Sequence, residues 1–291
     1  MAEAEFDQIA PMYDLTRGVL DEKTSKGIGE ILEKQGCREI LEIGVGMGRV
    51  ALPLLNSGFP VTGVDLSRKM MEKASIKGVS NLVQADAARV PFKDKTFDGT
   101  IMAHVFHILP DPISVLHEAA RVSSKSVFAL VRKGGWGMWG NYFRSSRSVQ
   151  GEENTSNQLD FGNENIDERI REYIEESRKR FRAISEKYGW NPERQRELHP
   201  RNWQQEQDIL KKFPPDDLQT VSDIEMKMTL EDRVARFEKN AYSYMLGMPE
   251  GMRREIIQEI RTSAERFPDR ASQPRHLVYQ LAMWRPEHLA D

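Results

Sequence analysis

The stretch Arg38–Leu55, REILEIGVGMGRVALPLL, joins a short apolar run to three alternating glycines and then to an apolar helical pattern. The run Ile40–Ile43 predicts a buried strand, and the leucines that follow Ala51 predict a helix. The glycines at positions 44, 46 and 48 lack side chains, so the turn can adopt unusual dihedral angles and a ligand can approach its backbone. Because glycine motifs are weak signals on their own, the stretch predicts either a ligand-cradling βα turn or a tight turn without a ligand.

The composition suits a globular protein with a hydrated surface. Of the 291 residues, 39% are hydrophobic and 30% are charged, and the formal net charge is -3. This charge balance disfavours a general polyanion-binding protein. The single cysteine, Cys37, excludes an internal disulfide, and no apolar run approaches the roughly 18 residues of a membrane span. The acidic N-terminus MAEAEFDQIAPMYD lacks the apolar segment of a signal peptide, so we expect a cytoplasmic protein without integral membrane association.

Strand-like apolar runs alternate with amphipathic helical stretches in the first half of the chain. This alternation indicates right-handed βαβ units and a parallel sheet. The runs are nearly continuous in apolar residues, as expected of strands that are covered on both faces. The five strands predicted in this half are Glu39–Ile43, Pro60–Val64, Asn81–Gln84, Phe97–Ala103 and Ser126–Val131.

The alternation stops after the fifth strand. The segment Arg132–Asn165 is rich in Gly, Ser and Asn and predicts a loop, with an aromatic cluster near its start. A long amphipathic helix is predicted to follow Asn165, because Glu168 stands at the capping-box position. We expect residues 136–201 to form a helical cap, or substrate insertion, between strands five and six. The aromatic residues of the cluster are Trp136, Trp139, Tyr142 and Phe143.

The sheet pattern resumes after this insertion. A helix is predicted at Trp203–Phe213 and strands at Ile224–Met228 and Leu277–Trp284, with two helices between these strands. The seven strands predict one α/β domain, in which residues 1–135 form the first part of the core and residues 202–291 form the remainder.

Two acids follow predicted strands at the same edge of the sheet. Asp65 ends the second strand in PVTGVDLS, and Asp86 follows the third strand in NLVQADAARVPF. A carboxylate at Asp65 can accept hydrogen bonds from both hydroxyls of a ribose, and one at Asp86 can accept a hydrogen bond from an adenine amine. In open α/β sheets, ligands bind outside the carboxyl ends of the strands, so these acids predict a nucleoside site there.

Taken in order, LEIGVGMGRV, Asp65, QADAARVPF and FDGTIMAHVFHILPDP resemble the class I S-adenosylmethionine-dependent methyltransferases. The N-terminal FDQIAPMYD resembles the quinone C-methyltransferase-like, type 11 branch of that family, and the resemblance runs from Phe6 to about Val131 and returns weakly from Trp203. It implies a Rossmann-like, doubly wound, seven-stranded, mostly parallel sheet with an antiparallel last strand. It also implies S-adenosylmethionine as the cofactor and S-adenosylhomocysteine as its product. The residues that the resemblance assigns to the cofactor are Tyr13, Glu42, Gly44, Val45, Gly46, Gly48, Asp65, Leu66, Met70, Asp86, Ala87, Ala103 and His104.

The form of the glycine motif agrees with this cofactor. A dinucleotide needs a helix N-terminus aimed at its pyrophosphate, whereas S-adenosylmethionine has no phosphate. Its amino acid end needs backbone donors and acceptors near Gly44–Gly46 instead. This difference explains why Arg49 can occupy a position just past the turn.

The resemblance implies methyl transfer by in-line displacement to a small-molecule acceptor held under the cap. The leaving group is neutral, so positioning and desolvation supply much of the acceleration, and a base is needed only if the acceptor keeps its proton. The candidate catalytic residues are His107 and Tyr13, with His104 and His199 as further candidate bases. His107 can instead pack beneath its loop, and Tyr13 can pack against the core. The family often carries two adjacent histidines where this chain has His107 followed by Ile108.

Other functions fit parts of the sequence. An NAD(P)-dependent oxidoreductase would also use Asp65, but the glycine spacing, Asp86 and the lack of a Tyr-x-x-x-Lys pair count against it. A non-catalytic S-adenosylmethionine-binding protein would carry the same motifs, and the aromatic cluster can either line an acceptor pocket or anchor the insertion. A nucleic acid acceptor is not expected, because the sequence has no basic stripe with interleaved aromatics. The accepting atom stays open, as does the choice between a monomer and a homodimer, and no metal site is predicted.

Overall fold

The computed structural model describes residues 7, 10, 20–133, 168–191, 204–226, 229–239, 248–266 and 275–289. The predictions for Tyr13, His199, the helix cap Asn165 and the aromatic cluster lie outside these residues.

Helices and strands alternate through the first 133 residues, as the sequence predicts. No helix within the described ranges is both long enough and apolar enough to span a bilayer. The helices are α1 (Glu22–Lys34), α2 (Ala51–Asn56), α3 (Arg68–Ile76), α4 (Pro112–Val122), α5 (Glu168–Lys187), α6 (Gln204–Lys212), α7 (Leu230–Glu238) and α8 (Glu250–Arg266), with 3₁₀ turns at Phe106–Ile108 and Pro286–His288. The strands are β1 (Ile40–Ile43), β2 (Val61–Asp65), β3 (Leu82–Gln84), β4 (Phe97–Ala103), β5 (Ser123–Lys133), β6 (Asp217–Met226) and β7 (Arg275–Trp284).

The seven strands form one sheet in the order β3-β2-β1-β4-β5-β7-β6. Strand β1 pairs in parallel with β2 and β4, and β3 and β5 continue the parallel part on either side. Ile43, the last residue of β1, lies opposite Val64 of β2 and Met102 of β4. The strand order reverses direction between β1 and β4, so a crevice opens there outside the carboxyl ends of the strands. The predicted Rossmann-like fold with antiparallel last strands is confirmed.

The central strands are covered on both faces because nearly all of their residues are apolar. Every residue of β1 is buried, including Glu42, and residues 127–131 of β5 are buried as well. Leu116 and Ala119 of α4 pack into the same cluster. Each large apolar side chain in such a core contributes about 1.5–3 kcal/mol, so the core holds the ends of β1 and β4 in fixed positions.

Short polar side chains cap the N-termini of three of the helices that surround this core. Asp21 accepts the N–H of Thr24 at the start of α1, and Ser67 accepts the N–H of Met70 at the start of α3. Asp111 accepts two N–H groups at the start of α4. Each cap satisfies N–H groups that the first helical turn leaves without a partner. The cap at Ser67 also fixes the turn that follows β2.

Strand β6 is longer than the sequence predicts. The prediction placed it at Ile224–Met228, whereas the structure has Asp217–Met226. In the added part Leu218 is 43% exposed and Gln219 is half-buried. The apolar alternation that marks a strand is therefore absent from this segment, which lies at the edge of the sheet.

The chain divides into two compact units, and the division differs from the predicted one. The first unit comprises residues 1–131, 199–223 and 278–291, and the second comprises 132–198 and 224–277. The sequence assigned α7 and α8 to the core of the sheet domain. In the structure they pack with α5 of the insertion through a separate apolar cluster, because all three helices present apolar faces that need a common partner. The cluster contains Phe181, Trp190, Phe237, Met248, Met252 and Ile256.

Candidate functional site

The three glycines of the loop after β1 have different roles. A side-chain carbon at Gly44 would lie 2.4 Å from Val105 Cγ1, and one at Gly48 would lie 2.8 Å from Val79 Cγ2. These two glycines therefore allow close packing of the loop. Gly46 has a positive φ of 52°, and a side-chain carbon there would meet no atom within 4 Å. The open space that a ligand could occupy is therefore at Gly46.

Asp65 joins this loop to the turn after β2. The N–H of Gly46 donates to its Oδ2 at 2.7 Å, and the N–H of Ser67 donates to its Oδ1 at 2.8 Å. The backbone N–H of Leu66 donates to the same carboxylate. A carboxylate offers about four acceptor positions, so about one position is left for a ribose hydroxyl. Asp65 thus both shapes the loop and faces the site that the sequence predicts for a nucleoside.

Burial has the largest effect on the pKa values of Asp65 and Glu42, the two acids at this edge of the sheet. Burial raises the pKa of Asp65, although hydrogen bonds from the N–H groups of Ser67 and Gly46 oppose the shift. Glu42 is 2% exposed, and burial raises its pKa well above the ordinary value, with the charge of Asp65 adding to the effect. Glu42 accepts a hydrogen bond from the backbone of Ala51. Its Oε2 has no donor among the described residues, so the site can accept a donor or a cation from a ligand.

The residues predicted to surround the adenosine lie on the turns after β2 and β3. Leu66 is 40% exposed, and its carbonyl accepts a hydrogen bond from Nε2 of Gln84 at 3.0 Å. Asp86 is exposed, and its Oδ1 accepts the N–H of Ala88 at 2.9 Å. Ala87 packs partly against the core. An exposed apolar side chain and an exposed carboxylate on neighbouring turns suit the face and the amine edge of an adenine.

Two residues assigned to the cofactor are core residues in the structure. Val45 and Met70 are each 2% exposed. The Val45 side chain faces Gly63, where an added side-chain carbon would lie 2.8 Å from Val45 Cγ2. These two side chains therefore support the loop and the turn from beneath.

The end of β4 carries a strained residue. His104, directly after Ala103, has a positive φ of 57°, which is uncommon for a residue other than glycine and often marks functional sites. Its ring packs on that of Tyr279, with 5.4 Å between the ring centroids. The structure thus brings His104 to the same edge as the glycine loop and Asp65.

His107 lies three residues further on, in the 3₁₀ turn, and is 4% exposed. Its burial favours the packing interpretation over the catalytic one. Its role as a general base stays a prediction, as does that of Tyr13.

Sequence reasoning missed two residues that support Asp65. Ser67 is fully buried, and its hydroxyl donates to Oδ1 of Asp7 at 2.7 Å. The N–H of Lys69 donates to the same oxygen at 3.3 Å. A serine that precedes a helical pattern is a cap signal, so Ser67 was detectable, whereas nothing in the sequence pattern links Asp7 to it.

Metal-binding side chains do not gather at this edge. In the part of the chain that the structure describes, no group of three or more His, Cys, Asp or Glu residues could hold a metal ion.

Comparison with known proteins identifies the same region. Residues 41–131 match the family model of a methyltransferase domain. The chain is 33% identical over 121 residues to a phosphatidylethanolamine N-methyltransferase from Cereibacter sphaeroides, a match that covers 39% of this chain and 59% of that protein. It is 33% identical over 124 residues to a demethylmenaquinone methyltransferase from Thermotoga maritima, covering 40% and 54%. The chain thus spans a little over half the length of these curated relatives.

Solved structures of methyltransferases are also similar. A SAM-dependent methyltransferase from Thermotoga maritima, described as a possible histamine N-methyltransferase, is 27% identical. The match covers 44% of this chain and 60% of that chain, with a TM-score of 0.36.

Proposed function

We propose that this chain, whose residues 41–131 match the family model of a methyltransferase domain, is a class I S-adenosylmethionine-dependent methyltransferase that transfers a methyl group from S-adenosylmethionine to a small-molecule acceptor. The observation that carries this proposal is the open space at Gly46, bounded by the hydrogen-bonded Asp65 and by Glu42, whose Oε2 has no donor among the described residues.

The residues present fit the chemical groups of this cofactor. Asp65 would accept a hydrogen bond from the ribose, and Oε2 of Glu42 would accept one from the α-ammonium group. Leu66 and Asp86 would contact the adenine. Gly46 would let the amino acid end lie directly on the backbone. The ribose, the α-ammonium group and the adenine amine then each have a partner of the right type.

The cofactor supplies a methyl group that is activated by a cationic sulfur. The protein therefore has to hold the cofactor and the acceptor in line and keep water away. Asp65, Glu42 and the glycine loop perform the first of these tasks on the cofactor side. His104, at the end of β4, is placed by its strained backbone at the edge where the acceptor would approach.

The proposal specifies the methyl acceptor only as a small molecule. The two curated relatives named above carry names that refer to a phospholipid amine and to a quinone precursor, so similarity supports a small molecule without selecting one. A cytoplasmic location, an acceptor other than nucleic acid, a cap formed by residues 136–201, and a monomeric or homodimeric state stay predictions.

A pair of glycine substitutions tests the cofactor site. Gly46→Ala places a methyl group in the open space, and we expect a folded protein whose affinity for S-adenosylhomocysteine falls about tenfold or more. Gly58→Ala is the matched control. Gly58 also has a positive φ, of 88°, and open space around its side-chain position, but it precedes β2 at the opposite edge of the sheet.

Each substitution should cost about 1 kcal/mol of stability. Calorimetric titration of both variants with S-adenosylhomocysteine, combined with thermal melts, separates backbone strain from ligand exclusion. Equal affinity in the two variants would show that the space at Gly46 is not the cofactor site.

A further inference from the structure

Arg49, Tyr279 and His104 form a polar cluster at the carboxyl edge of the sheet. Arg49 directly follows the glycine loop, His104 directly follows β4, and Tyr279 lies in β7. Nη2 of Arg49 lies 3.5 Å from the hydroxyl oxygen of Tyr279. The rings of Tyr279 and His104 lie 5.4 Å apart between centroids. Three distant stretches of the sequence therefore meet beside the proposed cofactor site.

The guanidinium group of Arg49 is incompletely hydrogen bonded. Its Nε is buried and has no acceptor among the described residues. The 3.5 Å contact with the neutral phenol of Tyr279 is long for a hydrogen bond. A buried donor of a charged group without an acceptor is unfavourable, so the arrangement calls for an acceptor that these residues do not supply.

Glu42 does not supply the acceptor that Nε of Arg49 lacks. The charge of Arg49 acts on Glu42, yet Oε2 of Glu42 lacks a donor, just as Nε of Arg49 lacks an acceptor. The two side chains are therefore close enough to influence each other but do not satisfy each other's hydrogen bonds. Because burial favours the neutral form of Glu42, the positive charge of Arg49 is left without a full counter-charge.

The missing partner is best supplied by a planar anion. Guanidinium groups bind carboxylates through two parallel N–H donors, and such charge-assisted hydrogen bonds are the strong ones. The phenol of Tyr279 can donate its hydroxyl hydrogen to the same group. The ring of His104 packs on Tyr279 and keeps it in place.

We propose that Arg49 and Tyr279, with His104 beside them, bind a carboxylate of a ligand in the methyl-transfer site. This inference rests on the proposed function. The carboxylate has two possible sources, namely the α-carboxylate of the cofactor and an acid group on the methyl acceptor. Both present the same chemistry to Arg49.

The experiment compares two adenosyl ligands on wild type, Arg49→Gln and Arg68→Gln. S-Adenosylhomocysteine carries the α-carboxylate, whereas 5′-methylthioadenosine has the same nucleoside and sulfur without the amino acid end. Arg68→Gln is the matched control, because it removes the same charge from an exposed side chain at the start of α3. There Nε of Arg68 lies 3.3 Å from Oε1 of the exposed Glu72. Binding of 5′-methylthioadenosine to Arg49→Gln also reports that this variant is folded.

A second arm detects a carboxylate from the acceptor. Benzoate is added to protein saturated with S-adenosylhomocysteine, and its binding is followed by saturation-transfer NMR. Benzoate offers a carboxylate for Arg49 and a ring that suits Tyr279 and His104.

If the cofactor supplies the carboxylate, Arg49→Gln weakens S-adenosylhomocysteine binding about tenfold or more and leaves 5′-methylthioadenosine binding unchanged. If the acceptor supplies it, Arg49→Gln keeps its affinity for both adenosyl ligands but loses the benzoate signal that wild type and Arg68→Gln give. The proposal is overturned if Arg49→Gln matches wild type in all three measurements, or if Arg68→Gln shows the same losses. A wild-type protein that binds neither adenosyl ligand overturns the proposed function and this inference with it.

Discussion

At the scale of single residues, Glu42 is the more deeply buried of the two acids at the carboxyl edge of the sheet. It is fully surrounded by protein, and burial raises its pKa well above its ordinary value of 4.5. The folded protein therefore holds a proton that the unfolded chain releases. The stability that this proton contributes is present below about pH 4.5 and is lost as the pH rises toward the raised pKa of the folded state.

Glu42→Gln removes this titration while keeping an oxygen that can accept the hydrogen bond from Ala51. Between pH 5 and 8, the free energy of unfolding of wild type should fall relative to that of the variant, by at most about 1.4 kcal/mol per pH unit. Asp65, whose pKa is also raised, titrates in both proteins. Urea unfolding at several pH values measures the difference, and parallel pH profiles would contradict the burial argument.

Glu42→Gln, which should raise stability relative to wild type at higher pH, should lower the affinity for the ligand. Glu42→Gln removes the carboxylate that would accept the α-ammonium group, so the affinity for S-adenosylhomocysteine should fall about tenfold. A variant that is more stable than wild type at pH 8 but binds the ligand less well would identify Glu42 as a binding residue.

His107 gives a second prediction at the residue scale. Because its side chain is 4% exposed, we expect His107→Ala to lose about 1–3 kcal/mol of stability through a cavity and to keep its affinity for S-adenosylhomocysteine. Thermal melts and calorimetry test this expectation. A general base would show a different result, namely unchanged stability with a loss of turnover once an acceptor is known.

At the scale of secondary structure, the turn between β2 and α3 is a small hydrogen-bonded unit. Asp65 accepts the N–H groups of Gly46 and Ser67. Ser67 in turn donates its hydroxyl to Asp7 and accepts the N–H of Met70. The position of Asp65 therefore depends, through Ser67, on Asp7, a residue 58 positions away in the chain.

We expect Asp7→Ala to reduce the affinity for S-adenosylhomocysteine about threefold to tenfold, because Ser67 loses the acceptor that orients its hydroxyl. Asp21→Ala is the control, since Asp21 accepts a backbone N–H and a hydroxyl in the first turn of α1 in the same way. Both variants should lose about 1 kcal/mol of stability. An equal affinity for S-adenosylhomocysteine in the two variants would show that Asp7 only caps the helix and does not affect ligand binding.

The sequence predicted the elements of this site because their signals are local. The glycine spacing, the acids after β2 and β3, and the apolar run of β4 are each readable within ten residues. Asp7 and Tyr279 were not predicted as partners of the site, because their contacts depend on the tertiary fold. The start of β6 was missed for a related reason, since exposed Leu218 and half-buried Gln219 reverse the expected pattern.

At the scale of the whole molecule, the parallel arrangement of the first five strands was predictable and the division into units was not. Alternating strand and helix patterns predict parallel βαβ units, whereas the seven-stranded sheet with an antiparallel last strand was implied by the resemblance to the methyltransferase family. The apolar faces of α7 and α8 carry no information about which partner they pack against. In the structure, α7 and α8 pack with α5. No local sequence pattern distinguishes this packing from packing on the sheet.

Calorimetric titration of the wild-type protein with S-adenosylhomocysteine, with NADH as the comparison, tests most directly whether S-adenosylmethionine is the cofactor. We expect binding of S-adenosylhomocysteine in the micromolar range and no binding of NADH, because the proposed site would receive an amino acid end, and not a pyrophosphate, at Gly46. Binding of NADH without binding of S-adenosylhomocysteine would contradict the account and make Asp65 the ribose ligand of a dinucleotide.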